Sequence, residues 1–238
     1  MARDLHVTSP PLTGEDVLIL QRRLIELGYD PGPCDGVYGV ASASAVRTFQ
    51  RDRRLAWDGI VGAKTRTALG SARRTKPRAS KIGLRALAEA LSQLGVSEQP
   101  AGSNRTPFGE WLGVDGVPWC NTFVSYAFAV GAGYVICADF PGAGVTTRGC
   151  TYVPTTEAWL RASGMWRGRI SPLAGDIVIL NVHGEASDHI GIVEEPQGGE
   201  IFQTVEGNSS LTGAESTGAV RRRTRSLEQT VGFGRVPR

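Results

Sequence analysis

The sequence is poor in cysteine, in net charge and in long apolar segments. Four cysteines in 238 residues are too few for a fold built on disulfides. A net charge of +3 does not indicate nucleic-acid binding. The uncharged stretch 116–138 could span a bilayer by length, but its proline, glycines and asparagine favour a buried helix between loops. We therefore expect a globular protein that neither binds nucleic acid nor inserts into a membrane.

The basic residues are concentrated in the segment Gly70–Lys81, with the sequence GSARRTKPRASK. It contains five basic side chains, no acidic one and no large apolar residue, so it predicts an exposed linker that could lie against an anionic polymer. The linker, residues 70–81, separates an N-terminal domain, residues 1–69, from a C-terminal domain, residues 82–238.

The N-terminal domain contains an internal repeat. Residues 35–46 (DGVYGVASASAV) align without gaps on residues 58–69 (DGIVGAKTRTAL). Each copy predicts an Asp-Gly turn followed by a short helix, whose Ser or Thr side chains could bind free N–H groups at the helix start. With the amphipathic segment before the first copy, this pattern predicts a small all-α, three-helix domain. Tyr38 and Trp57 are interpreted as core residues, with contact to a sugar or peptide as the alternative.

These residues also carry a resemblance to a known family. The sequence LQRRLIELGYDPGPCDGVYGVASASAVRTFQRDRRLAWDGIVGAKTRTAL, with its doubled DG-x-x-G, resembles the peptidoglycan-binding domain of bacterial cell-wall hydrolases. The resemblance covers residues 12–69. It implies non-catalytic attachment to cell-wall peptidoglycan, with Tyr38 and Trp57 as candidate contacts.

In the C-terminal domain, Cys120 is a candidate nucleophile. It lies in the segment VPWCNTFVSYAF, where Pro118 favours an extended residue before it, so a helix should begin near Trp119 or Cys120. Apolar residues from Phe123 onward form one buried stripe of this helix. In the first turn, free backbone N–H groups and the helix dipole favour a thiolate.

The second half of the domain predicts an antiparallel sheet of about five strands. Segments 176–182, 188–194 and 200–206 have period-two patterns separated by turns, and segments 219–223 and 230–236 are further candidates. Helices followed by strands predict an α+β fold. The basic run Arg221–Arg225 is interpreted as a solvated or edge face.

A cysteine nucleophile needs a base and a third group that orients the base. His189 begins a predicted strand, whereas His183 lies in the preceding turn. Glu206 and Asn208 are two residues apart on the next strand, so they should share a face, and a hairpin would bring one of them opposite His189.

The segments PWCNTFVSYAF, PLAGDIVIL, DHIGIV and TVEGNSS resemble the CHAP domain (cysteine, histidine-dependent amidohydrolase/peptidase), which has a papain-like fold. The resemblance implies Cys120 as nucleophile, His189 as general base and then acid, and Glu206 as the orienting group, with Asn208 as the alternative or a fourth member. The backbone N–H of Cys120 is the expected oxyanion donor, and the Asn121 side chain is a weaker alternative. Further candidate substrate contacts are Trp119, Asn121 and Asn104.

No cofactor or metal is expected. Some CHAP relatives bind calcium through acidic residues before the nucleophile, but only Asp115 lies between Trp111 and Cys120 here. Cys137 and Cys150 could form a disulfide, or a zinc site with His183 and His189. Their spacing matches no structural zinc signature.

Together these features predict a monomeric peptidoglycan hydrolase that resembles a phage endolysin. The N-terminal MARDLHVTSPPLTGE has no apolar run after its basic start, so we expect synthesis in the cytoplasm without a signal peptide and action on the wall after release. The predicted reaction cleaves an amide, either between muramic acid and L-alanine or within the wall peptide. The alternative is a non-catalytic wall-binding or phage structural module with a degenerate hydrolase domain.

Overall fold

The computed structural model describes residues 3–182, 184, 186–197, 199–210 and 218–237, which fall into two compact units. The first unit comprises Met1–Pro77 and Leu160–Ser171, and the second comprises Arg78–Trp159 and Pro172–Arg238. The sequence predicted an uninterrupted C-terminal domain, but Leu160–Ser171 belongs to the first unit. Its Arg167 pairs with Asp52 at 2.7 Å.

Three helices form the N-terminal part of the first unit, as the repeat and the amphipathic segment before it predicted: α1 (Glu15–Leu27), α2 (Val40–Asp52) and α3 (Ala63–Ser71). Each of the last two begins inside one copy of the repeat, after its Asp-Gly turn. Burying the apolar stripes of these helices provides the main stabilisation of so small a domain. Its core includes the large buried side chains of Leu24, Tyr29, Tyr38 and Phe49.

A buried glutamine binds the turn and the helix start of each copy of the repeat. In the first copy the Gln21 Nε2 donates to Asp35 Oδ1 at 3.0 Å, to the Val37 carbonyl and to Ser42 Oγ, while the Gly36 N–H donates to Gln21 Oε1 at 2.9 Å. Gly36 has a φ of 71°, a conformation that favours glycine. All the bonds close on one amide, which fixes the Asp-Gly turn against α1.

The second copy repeats this arrangement. Gln50 Nε2 donates to Asp58 Oδ1 at 2.9 Å, to the Ile60 carbonyl and to Thr65 Oγ1, while the Gly59 N–H donates to Gln50 Oε1 at 2.9 Å. The sequence predicted that Ser and Thr cap the following helices. Instead α2 and α3 have no side-chain cap, because these hydroxyls bind the glutamine.

Between α3 and α4, residues 72–80 form no helix or strand. The basic side chains Arg73, Arg74, Lys76 and Arg78 are exposed. Ser80, at the end of the predicted linker, is buried and caps α4 by accepting from the Gly83 N–H. The second folded unit therefore begins just before residue 81.

The second unit is α+β, as predicted. Its helices are α4 (Lys81–Ser92), α5 (Pro107–Leu112), α6 (Cys120–Ala132) and α7 (Val153–Ala162), the last of which runs into the returning segment with β3 (Trp166–Gly168). A short hairpin, β1 (Val145–Thr146) and β2 (Gly149–Cys150), lies between α6 and α7. The main strands are β4 (Ile177–Leu180), β5 (His189–Pro196), β6 (Ile201–Ser209), β7 (Ala219–Ser226) and β8 (Thr230–Gly234).

These five strands form an antiparallel sheet in the order β8-β4-β5-β6-β7. Helix α6 contacts the sheet closely at β6. A Cβ on Gly207 would lie 2.5 Å from the Phe123 Cβ, so only glycine permits this approach without rearrangement. The contact brings the first turn of α6 to the strand that carries Glu206. No helix in the part of the chain that the structure describes is long and apolar enough to cross a membrane.

Candidate active site

Cys120 is the first residue of α6, as the proline before it predicted. Trp119 occupies the N-cap position and provides no side-chain cap, so the first backbone N–H groups of α6 have no side-chain acceptor there. Cys120 is 7% exposed. The thiol therefore lies at the positive end of a 13-residue helix, in a largely water-excluded position.

His189 connects Cys120 to Glu206. Its Nε2 lies 2.9 Å from Glu206 Oε2, and the Cys120 thiol lies close enough to the ring to raise the pKa of His189. Because Nε2 faces Glu206, Nδ1 is the ring nitrogen left for the thiol. His189 is 6% exposed and Glu206 is fully buried. The structure thus brings together three of the four predicted catalytic residues.

The electrostatics of this chain favour a charged pair of His189 and Glu206. Burial lowers the pKa of His189, but hydrogen bonds to Cys120 and Glu206 outweigh it and raise the pKa to about 10. Burial raises the pKa of Glu206, but hydrogen bonds from Arg225 and His189 outweigh it and lower the pKa to about 2. At neutral pH the proton therefore resides on the imidazole, ready to be donated.

Asn208 does not share the position of Glu206. The register of β6 shifts between Glu206 and Ser209, and Asn208 has a φ of 53°, so the expected alternation fails there. The Asn208 carboxamide oxygen lies beside Gly218. The prediction that Glu206 and Asn208 share a face was wrong, and Glu206 is the residue that contacts His189.

Two predicted substrate contacts beside the nucleophile are core residues. Trp119 is 1% exposed and packs on Phe108 with ring centroids 5.7 Å apart. Asn121 is fully buried, donates to the Cys150 carbonyl at 2.8 Å and accepts from Thr156 Oγ1. Because its side-chain amide is hydrogen bonded in the protein interior, Asn121 holds α6 in position and is not placed as an oxyanion donor.

The remaining predicted contacts have different environments. Tyr38 is fully buried and donates its hydroxyl to the Gly59 carbonyl at 2.7 Å, so it is a core residue and not a wall contact. Trp57 is 46% exposed with the Arg51 guanidinium 5.3 Å from its ring centre, so it remains accessible. Asn104 is half-buried, and its backbone N–H donates to Glu98.

Cys137 and Cys150 are free, fully buried thiols that interact electrostatically with each other. The interaction with Cys137 lowers the pKa of Cys150 to about 6, and Cys137 Sγ contacts Thr156 Oγ1 at 3.5 Å. Of the two histidines in the considered zinc site, His189 contacts Glu206 and His183 lies outside the described residues.

Two contributors to the site were not predicted from the sequence. Arg225, expected on a solvated or edge face, has a side chain only 11% exposed that binds Glu206 through Nε at 2.8 Å and Nη2 at 2.6 Å. A Cβ on Gly191 would lie 2.7 Å from Glu206 Cγ, so the carboxylate side chain crosses β5 where no side chain intervenes. Gly191 was within the DHIGIV motif, but only the pairing of β5 with β6 gives it this role.

A separate groove of about 480 Å³ opens in the first unit, lined by residues of α1, α3 and the N-terminal segment. Its lining includes Leu5, Leu20 and Leu69 together with four arginines, Arg3, Arg22, Arg23 and Arg66. Three of these pair with acidic side chains: Arg3 with Asp16, Arg23 with Glu26 and Arg66 with Asp4. Arg22 has no ion pair among the described residues. The groove thus combines an apolar surface with one available positive charge.

Comparison with known families divides the chain in the same order as the sequence motifs. Residues 13–69 match the peptidoglycan binding domain family, and residues 113–208 match the CHAP domain family. The CHAP match contains Cys120, His189 and Glu206, while Arg225 lies beyond its end.

Curated relatives match over short stretches. N-acetylmuramoyl-L-alanine amidase CwlM of Mycobacterium tuberculosis is 42% identical over 64 residues, which cover 27% of this chain and 16% of that protein. The spore cortex-lytic enzyme of Bacillus subtilis is 52% identical over 58 residues, covering 24% and 19%. That of Bacillus cereus is 46% identical over 57 residues, covering 24% and 22%. The chain therefore spans about a fifth of the length of these relatives. No solved structure matches this chain significantly.

Proposed function

We propose that this chain, in which a peptidoglycan binding domain precedes a CHAP domain, is a peptidoglycan hydrolase that cleaves a wall amide with a cysteine nucleophile. The observation that carries the proposal is the imidazole of His189, held between Cys120 at a helix N-terminus and the buried carboxylate of Glu206. Nucleophile, base and orienting group in this sequence of contacts are the parts of a thiol hydrolase.

Cys120, His189 and Glu206 account for each step of amide hydrolysis. His189 takes the proton of the Cys120 thiol, and the resulting thiolate attacks the amide carbonyl carbon. A C–S bond forms, and the oxyanion is stabilised by backbone N–H groups at the start of α6. His189 donates its proton to the amide nitrogen as the C–N bond breaks and the amine leaves. Water then attacks the thioester, His189 accepts the proton of that water, and the carboxylic acid product leaves Cys120. Glu206 orients the ring throughout.

The bond cleaved is either the amide between muramic acid and L-alanine or one inside the wall peptide, since both need the same groups. The name of the mycobacterial relative favours the first. The biological setting we propose is wall lysis in the manner of a phage endolysin. The alternative, a non-catalytic wall-binding module, is disfavoured by the intact contacts of His189.

The catalytic assignment is tested by lysis of purified cell walls. Cys120→Ala and His189→Ala should each reduce the lytic rate by at least about 1000-fold, because neither the covalent step nor its proton transfer remains. Both variants should still sediment with walls. The matched control is Cys34→Ala, which removes an exposed thiol of the first unit and should leave the rate unchanged.

Two results would contradict this assignment. Lysis by Cys120→Ala at the wild-type rate would exclude the thiol mechanism. A loss in Asn208→Ala much larger than that in Glu206→Ala would move the orienting role to Asn208. Mass spectrometry of the wild-type digest identifies the amide that is cleaved.

We further propose that the groove of the first unit binds the wall peptide. Its apolar lining suits alanine methyl groups. Arg22, which has no ion pair among the described residues, suits a peptide carboxylate, which guanidinium groups bind through paired hydrogen bonds. This assignment replaces Tyr38, which is buried, as the candidate wall contact.

Sedimentation with walls tests the groove in the inactive Cys120→Ala background, where the walls stay intact. Arg22→Glu should weaken binding roughly 5-fold, about 1 kcal/mol, because it repels a carboxylate. Lys64→Glu makes the same charge change at an exposed position of α3 outside the groove lining and should have little effect. Equal losses in the two variants would indicate general charge attraction and contradict the groove.

A further inference from the structure

Glu206 receives four hydrogen bonds from three residues. Oε1 accepts from Thr204 Oγ1 at 2.6 Å and from Arg225 Nε at 2.8 Å. Oε2 accepts from Arg225 Nη2 at 2.6 Å and contacts His189 Nε2 at 2.9 Å. An ionised carboxylate has about four acceptor sites, so every site is used. Three of the four fix the carboxylate, and the fourth is left for the imidazole.

Burial makes this anchoring necessary. Glu206 and Thr204 are fully buried, and the Arg225 side chain is 11% exposed, so water cannot stabilise the carboxylate charge. A buried carboxylate without a partner charge would take up a proton, and a protonated Glu206 could not accept from His189 in the same way. Arg225 supplies both the opposite charge and a planar fork that matches the carboxylate.

We propose that Arg225, assisted by Thr204, is a positioning residue of the hydrolase: it keeps Glu206 ionised and fixed against His189 Nε2, so that Nδ1 faces Cys120. This inference rests on the proposed thiol mechanism. In this proposal Arg225 binds the carboxylate of Glu206 and acts on the reaction through it.

The arrangement also determines where the proton resides. Paired with a guanidinium, Glu206 is a weak base and leaves the proton on His189, where the departing amine can receive it. The charged and titratable groups that act on His189 are Cys120 on α6 and Glu206 on β6. Burial lowers the pKa of Arg225, but Glu206, and to a smaller extent Asp188, outweigh burial and raise it. The loss of Arg225 should therefore change the pH dependence of the reaction as well as its rate.

The test measures kcat/KM against pH by release of dye-labelled fragments from purified peptidoglycan. Arg225→Gln should reduce kcat/KM roughly 10- to 100-fold, as expected for a residue that orients a catalytic group. The acid limb of the plot of kcat/KM against pH should move to higher pH for this variant, because Glu206 without Arg225 becomes protonated more easily. Arg225→Lys keeps the charge without the fork, so it should restore the acid limb but not the full rate.

Arg222→Gln is the matched control on the same strand. The Arg222 side chain is 54% exposed and pairs with Glu194, so both rate and pH profile should be those of the wild type. A double-mutant cycle tests the route of the effect. Arg225→Gln combined with Glu206→Gln should be no slower than Glu206→Gln alone, because the guanidinium then has nothing to position.

A folded Arg225→Gln variant with wild-type rate and pH profile would overturn the inference, as would losses that multiply in the double variant. If Arg225→Gln does not fold, Thr204→Val is the deciding variant, because it removes one neutral hydrogen-bond donor to Glu206. It should reduce kcat/KM roughly 2- to 10-fold and move the acid limb of the pH profile in the same direction. An unchanged Thr204→Val profile would then overturn it. Activity of Cys120→Ala would instead contradict the thiol mechanism, independently of any Arg225 result.

Discussion

In the first unit a buried amide, Gln21 or Gln50, holds an Asp-Gly turn, whereas in the second unit a buried carboxylate, Glu206, holds an imidazole. The amide is satisfied without a buried charge, because the aspartates it binds remain exposed to water. The carboxylate needs a guanidinium from another strand. A neutral group suffices to fix a backbone turn, but orienting and charging an imidazole needs a buried ion and hence a buried counterion.

The two networks also differ in how far along the chain they reach. Each glutamine binds partners within about 21 residues, and the whole set recurs in the second copy. The catalytic network joins α6, β5, β6 and β7, over residues 120 to 225. The first can form wherever its short segment folds, whereas the second requires the complete sheet and the helix on it.

The largest expected consequence of this difference is an unequal sensitivity to acid. The pKa of Glu206 is about 2 in the folded protein against an ordinary 4.5, so its stabilising contribution is present above pH 4.5 and is lost as the pH falls through 2. The full loss is about 3 kcal/mol. His189 is protonated in both folded and unfolded chains over that range and adds no slope. The glutamine networks contribute no such change.

Denaturant unfolding at several pH values between 5 and 2 measures this effect as the difference between wild type and Glu206→Gln. The variant should lose less unfolding free energy on acidification, by up to about 3 kcal/mol. The exposed Asp16 and Asp35 of the first unit also have lowered pKa values, but both proteins share them and solvent screens them. If the unfolding free energies of wild type and variant fell equally with pH, Glu206 would not be a charged, stabilising group.

The sequence was sufficient for the local features of the molecule. The gap-free repeat and the amphipathic segment before it predicted the turns and helices of the first unit, and Pro118 predicted that α6 begins near Trp119 or Cys120. Period-two patterns predicted the five main strands and their α+β arrangement. These features depend on residues within one or two elements, so spacing alone reveals them.

The features that depend on several elements were not predicted. The register shift after Glu206 breaks the alternation that placed Asn208 beside it, and alternation cannot reveal a shift in advance. Arg225 lies in a basic run whose members have different environments, and only the pairing of β6 with β7 brings it to Glu206. No sequence pattern within Leu160–Ser171 indicated that this segment belongs to the first unit.

A smaller effect tests whether the two glutamines are equivalent. Gln21→Ala and Gln50→Ala should each lower the unfolding free energy of the first unit by about 2 kcal/mol, because each leaves the glycine N–H of its turn and buried polar groups unsatisfied. Gln99→Ala, at an exposed position, should change stability by less than about 0.5 kcal/mol. At temperatures where both variants remain folded, their lytic rates should equal that of the wild type, since neither glutamine contacts the catalytic network. If one of these variants lost much unfolding free energy and the other none, the two copies would share hydrogen bonds but differ in how much those bonds stabilise the unit.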